Sequence, residues 1–355
     1  MGIPCLGDLL PRRVAILRAL QLGDLLCAVP AFRALRYALP EAEIILIGLP
    51  WACEFVNRFG MYLSGFREFP GYPGLPERAP AISRIPVFLH QIQAEHFDLV
   101  IQLHGNGRIT NPLVATFGAA LIAGFFERGQ YCPDPARFFP YPEHGLEVDR
   151  LLKLLESLGI QSRGAQLEFP LYPSDFRALR TATEPHCLQP RRYICLHVGA
   201  STPARRWSLE NFIEVARHLS RRGFDIVLTG TELESELTRR VAAKLDSALD
   251  LAGRTSLGSL AALVHGARLV VCNDTGISHL ADALQIPSVV LSTGTNPQRW
   301  APRDRKLHRV LCSDCGVPVS DVIAQTEELL EDKVASVYPE KHDQFRGYLP
   351  QTSTV

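Results

Sequence analysis

Apolar runs of strand length alternate with helix-length amphipathic segments along nearly the whole chain, and few architectures accept that rhythm. Val14–Arg18 reads as a strand, followed by a loop and a helix over Leu25–Leu39, while Ile44–Ile47 and Leu99–Leu103 read as later strands. Strands apolar at almost every position are buried on both faces, so with helices between them they imply a parallel sheet covered on both sides. Phe69–Pro86 holds five prolines and two glycines and reads as a loop. Leu146–Leu158 has apolar residues at 148, 151, 152, 155 and 158, a helical period, and Gly159 stops it. From Ile160 to Arg192 the pattern weakens and prolines recur at 170, 173, 185 and 190, which marks a linker. The alternation then restarts. Tyr193–Leu196, Asp225–Leu228, Leu269–Cys272 and Ser288–Leu291 read as strands. Leu209–Arg221 (behind a Ser208 cap), Glu232–Leu245, Leu257–His265 and Ile277–Leu284 read as helices.

At roughly 100–200 residues per domain, the 355 residues make two α/β domains. The expected division is a first domain over 1–165, a linker over 166–192, a second domain over 193–338 and a polar tail over 339–355. Such a pair places a ligand in the crevice at the carboxyl ends of the strands. The 37 basic side chains balance the 37 acidic ones, so net charge gives no general attraction for nucleic acid or an anionic membrane. Nine cysteines, an odd number scattered through strands and helices, suit a reducing compartment better than a disulfide framework. The longest apolar run, Leu113–Phe126 with Thr116 inside it, falls short of the ~20 residues that cross a bilayer. No secretory signal opens the sequence. A soluble cytoplasmic protein is expected.

Three strand-to-helix turns carry the chemistry. The first is Leu22-Gly23-Asp24, where Gly23 suits a tight turn and Asp24 is either a helix cap, worth about 0.5–2 kcal/mol, or a general base. The second, Gly199 to Trp207, combines small and hydroxyl residues that allow close backbone approach with Arg205 and Arg206, forked donors suited to phosphate oxygens. In the third, Asp274, Thr275 and Gly276 leave backbone N–H groups at a helix N-terminus, a ready phosphate site, with His279 one turn further. Weaker signals stand beside them. Gly105-Asn-Gly107 has Thr110 in the third position of a dinucleotide fingerprint, and Cys312 with Cys315 lacks the second pair of a zinc site. No Asp-x-Asp occurs, so that common metal-binding device has no candidate; no metal site and no cofactor are expected.

These turns, in this order, resemble glycosyltransferase family 9, the ADP-heptose:lipopolysaccharide heptosyltransferase family. The likeness runs from about residue 12 to residue 302: Val14–Pro30, His197–Trp207, Thr229–Glu234, Asp250–Leu257, and Asn273–Gly276 with His279. It implies the GT-B architecture, two Rossmann-like domains whose parallel sheets face each other across a crevice. It further implies an inverting, metal-independent transfer of heptose from an ADP-sugar to a saccharide or glycolipid acceptor in lipopolysaccharide core assembly. The second domain would hold the donor, and the work would be done at the cytoplasmic face of the inner membrane through peripheral contact. Carried over residue by residue, Asp24 is the candidate base and Arg205, where the family usually has Lys, neutralises the leaving diphosphate. Ser201, Asp274, Thr275, Gly276 and His279 contact the donor's phosphates or sugar, Glu234 its ribose, and Thr255 lies where the adenine is held; Thr202 and Arg206 on the same loop join them as substrate-binding candidates from the residues themselves. A nucleotide-sugar epimerase of the same architecture, or a non-catalytic nucleotide-sugar binding protein, are the alternatives.

Overall fold

A computed structural model describes residues 10–313 and 316–331 of the chain. It divides into two compact units after Gln166. The first contains β1 (Arg13–Leu17), α1 (Leu22–Ala38), β2 (Glu43–Gly48), α2 (Ala52–Arg58), β3 (Gly65–Glu68), α3 (Ile85–Ala94), β4 (Leu99–Gln102), α4 (Thr110–Val114), β5 (Leu121–Phe126), β6 (Phe138–Pro140) and α5 (Glu147–Ser157). Its six strands lie in the order β3-β2-β1-β4-β5-β6, and every pairing is parallel. The apolar strands are buried as their composition demands: Val14, Ala15, Ile16 and Leu17 are at most 1% exposed. Ala15, Leu17, Ile45, Ile47 and Val100 pack on one face against Phe88 and Ile92 of α3 and Leu113 and Val114 of α4. Burial of one such side chain is worth about 1.5–3 kcal/mol.

The second unit contains α6 (Pro173–Thr183), β7 (Tyr193–His197), α7 (Leu209–Arg221), β8 (Asp225–Thr229), α8 (Ser235–Ala242), β9 (Leu249–Asp250), α9 (Leu257–Gly266), β10 (Leu269–Asn273), α10 (Gly276–Ala283), β11 (Ser288–Leu291), α11 (Pro297–Trp300), β12 (His308–Leu311) and α12 (Val319–Glu331). Its sheet runs β12-β11-β10-β7-β8-β9, again wholly parallel. Numbered from its own first strand, each sheet has the order 3-2-1-4-5-6 of the doubly wound nucleotide-binding fold. In such sheets the ligand sits beyond the strand ends where the order reverses: between β1 and β4 in one unit, between β7 and β10 in the other. Ile194, Leu196, Leu228, Val271 and Val289 pack with Phe212, Val215 and Leu219 of α7 and Val322 and Leu329 of α12. That packing fixes the strands and leaves chemistry to the loops at their carboxyl ends.

Three local expectations change. The segment expected as a linker, 166–192, carries α6, which packs on α9 and buries Phe176 edge-on against His265 at 6.0 Å. Pro173 breaks no helix there because it occupies the first turn, where its missing N–H is not needed. The helix expected over Glu232–Leu245 is a 3-10 turn, Glu232–Glu234, followed by α8. The first helix begins at Leu22 rather than Leu25, so Gly23 lies inside it and the chain turns at Arg18–Gln21. Gln21 is the N-cap, and its backbone N–H donates to Asp24 Oδ2 at 3.2 Å, so a reciprocal capping box closes the turn. Cys315 and the expected tail over 339–355 lie outside the described residues.

Candidate functional site

In the second unit the loops after β7 and β10 meet where the strand order reverses. Asn273, fully buried at the end of β10, holds them together. Its Nδ2 donates to the carbonyls of Val198 (3.0 Å) and Gly199 (3.1 Å), and its Oδ1 accepts the Trp207 N–H at 2.9 Å. One side chain therefore fixes both ends of the loop that carries Ser201, Thr202, Arg205 and Arg206. Arg205 Nη2 reaches across to the Asp274 carbonyl at 2.7 Å, and Nη1 donates to Ser201 Oγ at 3.2 Å. Arg206 directs Nε and Nη2 to the Ala200 carbonyl (3.1 and 3.0 Å) and so braces its own loop. Thr202 is exposed at the start of the short turn Pro203–Arg205.

Beyond β10, Thr275 is the N-cap of α10, but its hydroxyl donates back to the Asn273 carbonyl at 3.3 Å and caps no N–H of the helix. The first turn, from Gly276, thus leaves backbone donors near the Arg205 guanidinium, a combination whose chemistry suits anionic oxygens. Asp274 is buried, and its Oδ2 has no partner among the described residues. His279 is buried one turn along α10 with its ring edge-on to Trp300 at 6.4 Å. The loop after β11 closes in from that side. Gly294 has φ +65°, and a Cβ there would lie 3.1 Å from the Ala204 carbonyl oxygen.

On the other flank, Glu234 caps its own 3-10 turn, its Oε2 accepting the Thr231 N–H (2.8 Å) and hydroxyl (2.9 Å). Its carboxylate also presses on Gly199, where a Cβ would sit 1.9 Å from Oε1. Close approach, rather than an unusual backbone angle, requires glycine there. His197, ending β7, accepts or donates at Thr229 Oγ1 (3.1 Å). Burial holds its imidazole below the ordinary histidine range, although the Glu234 charge and the contact with Thr229 pull the other way. The loop after β9 joins this rim through Gly253 N–H to the Gly230 carbonyl at 2.9 Å. Thr255 follows two residues later, half-buried and just before the Ser256 cap of α9. Ser201, Arg205, Glu234, Asp274, Thr275, Gly276 and His279 therefore share one edge of one sheet.

Asp24 belongs to the first unit. It is partly exposed at the third position of α1, and its backbone carbonyl accepts Arg18 Nε at 2.9 Å. Arg18 is fully buried, paired with Glu147 of α5 at 3.1 Å and bonded to the Leu103 carbonyl. That charge pair ties β1, α1, β4 and α5 around the turn preceding Asp24. The sequence motifs include both Arg18 and Asn273 but assign neither of them a role. A charged residue closing a fully apolar strand is the available signal for the first, and a polar amide closing β10 for the second. Among the described residues, no cluster of three or more His, Cys, Asp or Glu side chains could hold a metal ion. No described helix is long and apolar enough to cross a membrane.

Set beside known proteins, the chain matches the family model of glycosyltransferase family 9 (heptosyltransferase) over residues 87–318. It is 27% identical over 319 residues to lipopolysaccharide heptosyltransferase 1 of Pseudomonas aeruginosa, covering 80% of this chain and 79% of that protein. Its structure is similar to the crystal structure of a family 9 glycosyl transferase from Veillonella parvula, at 22% identity and a TM-score of 0.76, over 90% of this chain and 97% of that one. An Escherichia coli heptosyltransferase with ADP-2-deoxy-2-fluoro heptose superposes with a TM-score of 0.66 at 21% identity, over 89% and 99% of the two chains. These likenesses bear out the GT-B fold class, with two Rossmann-like units.

Proposed function

This chain belongs to glycosyltransferase family 9, and from that premise we propose that it transfers heptose from ADP-heptose, with inversion and without a metal, to a saccharide or glycolipid acceptor of the lipopolysaccharide core. The observation that carries the reading is Arg205, whose fork braces Ser201 and the Asp274 carbonyl beside the uncapped start of α10. A guanidinium and a set of backbone donors already aimed at one place favour the diphosphate more as its charge grows on departure.

In this mechanism an acceptor hydroxyl attacks the donor's anomeric carbon from the face opposite the diphosphate. The new C–O bond forms as the bond to the phosphate oxygen breaks, and the electron pair leaves with ADP. Asp24 takes the hydroxyl proton, a role typically worth about 10²–10⁴-fold in rate. Arg205, Arg206, Ser201, Thr202 and the N–H groups from Thr275 and Gly276 hold the phosphates. Asp274, whose buried Oδ2 lacks a partner, accepts from a sugar hydroxyl rather than facing the anion, with His279 alongside. Glu234 holds the ribose and Thr255 borders the adenine. A glycolipid acceptor would bring the protein to the cytoplasmic face of the inner membrane by peripheral contact.

The test is calorimetric titration with ADP, UDP, GDP and CDP in EDTA. ADP should bind most tightly and keep its affinity in the chelator. Equal affinity for all four, or loss of binding in EDTA, would overturn the donor assignment.

A further inference from the structure

At the carboxyl end of β4, where the first unit's strand order reverses, buried polar atoms without partners gather. Gln102 and Asn111 are fully buried and His104 is 5% exposed. Gln102 Oε1, Asn111 Oδ1, His104 Nε2 and Glu77 Oε2 have no hydrogen-bond partner among the described residues. Native proteins leave few such atoms, and each calls for an explanation.

The His104 ring is oriented. Its Nδ1 accepts the Ala19 N–H at 3.2 Å, which places the proton on Nε2. Its backbone is held too, because the His104 carbonyl accepts Gln102 Nε2 at 3.1 Å. Nε2 then faces Glu77 Oε1 across 3.5 Å, too far for a good hydrogen bond. A hydroxyl oxygen set beside the pair, about 2.8 Å from each atom, would accept from Nε2–H and donate to the carboxylate. Burial pulls the Glu77 carboxyl up, but the facing His104 and the backbone N–H of Glu77 itself outweigh it, so the group stays below the usual carboxylate range. An ionised carboxylate repels phosphate and welcomes a neutral hydroxyl.

We propose that His104 and Glu77 form a hydroxyl-binding site for the acceptor saccharide. The proposal rests on the transferase reading and adds where, and by what chemistry, the first unit grips its substrate. His104 also holds the Arg18–Gln21 turn that opens α1, so the grip on the acceptor and the setting of Asp24 share one turn.

The test is calorimetry on the full chain saturated with ADP, with deacylated lipopolysaccharide lacking the transferred sugar as the probe. His104→Asn keeps an acceptor for the Ala19 N–H but has no Nε2 donor, and Glu77→Gln keeps shape without charge. Each variant should bind the probe at least about tenfold more weakly, with ADP affinity and melting temperature unchanged. Unchanged probe affinity in both variants would mean that no acceptor hydroxyl engages the pair and would overturn the proposal. Parallel losses of ADP and probe binding would overturn it as well, by showing a structural role. The transferase reading is judged separately, by ADP binding and turnover in the wild-type protein.

Discussion

Asp24 caps a helix and, in the proposed mechanism, serves as the base, and a single substitution separates the two. Its Oδ2 accepts the Gln21 N–H in the capping box, and an asparagine oxygen can do the same, since Asn and Asp cap about equally well. Asparagine cannot take a proton from an acceptor hydroxyl. Asp24→Asn should therefore melt as the wild type does and bind ADP normally, while transfer falls by about 10²-fold or more. Wild-type turnover would remove the base assignment. His197 gives a pH signature. Burial lowers its folded pKa beneath the unfolded value of about 6.5, so the unfolded chain takes up a proton that the folded chain refuses. Stability is then fully present above about pH 6.5 and declines as the pH drops below it. Urea unfolding at pH 5.5 and 7.5 should show that loss, and His197→Gln should reduce it.

Among the elements, the close fit between the loop after β7 and the 3-10 turn after β8 is the most exposed to a small change. A Cβ on residue 199 must displace the Glu234 carboxylate, which would abandon its bonds to Thr231. Hydrogen bonds to charged groups are worth about 1.5–3 kcal/mol. Gly199→Ala should weaken ADP binding about tenfold or more, since tenfold is 1.4 kcal/mol, and should lower the melting temperature through the lost bonds to Thr231. An unaltered ADP titration would separate Glu234 from the nucleotide.

The same scale shows what the sequence makes legible. Strands β1, β2, β4, β7, β8, β10 and β11 announce themselves because burial on both faces demands unbroken apolar runs. The edge strands β3 and β12 are mostly half-buried and β9 is only two residues long, so they leave no such run. Helix α6 hides behind prolines that suit a linker and a helix start equally well. The turns after β7 and β10 were legible because small, hydroxyl and cationic residues cluster locally. Asn273 and His104 were not, because their partners stand 75 and 85 residues away in the chain.

For the molecule as a whole, the repeated strand order matters most. Every strand of the first sheet pairs within its own unit, and the last of them ends at Pro140, with the unit closing at Gln166. Nothing in that sheet waits for residues made later. A ribosome still translating the second half therefore has a complete folding problem already emerging from its tunnel, and domains generally fold as units in the order of synthesis. Nascent chains stalled far enough past residue 166 to clear the tunnel should resist protease over residues 10–166, whereas chains released before β6 should be digested. Translation speed through the codons for 166–192 would then set how long the first unit stands alone before its neighbour competes for chaperones.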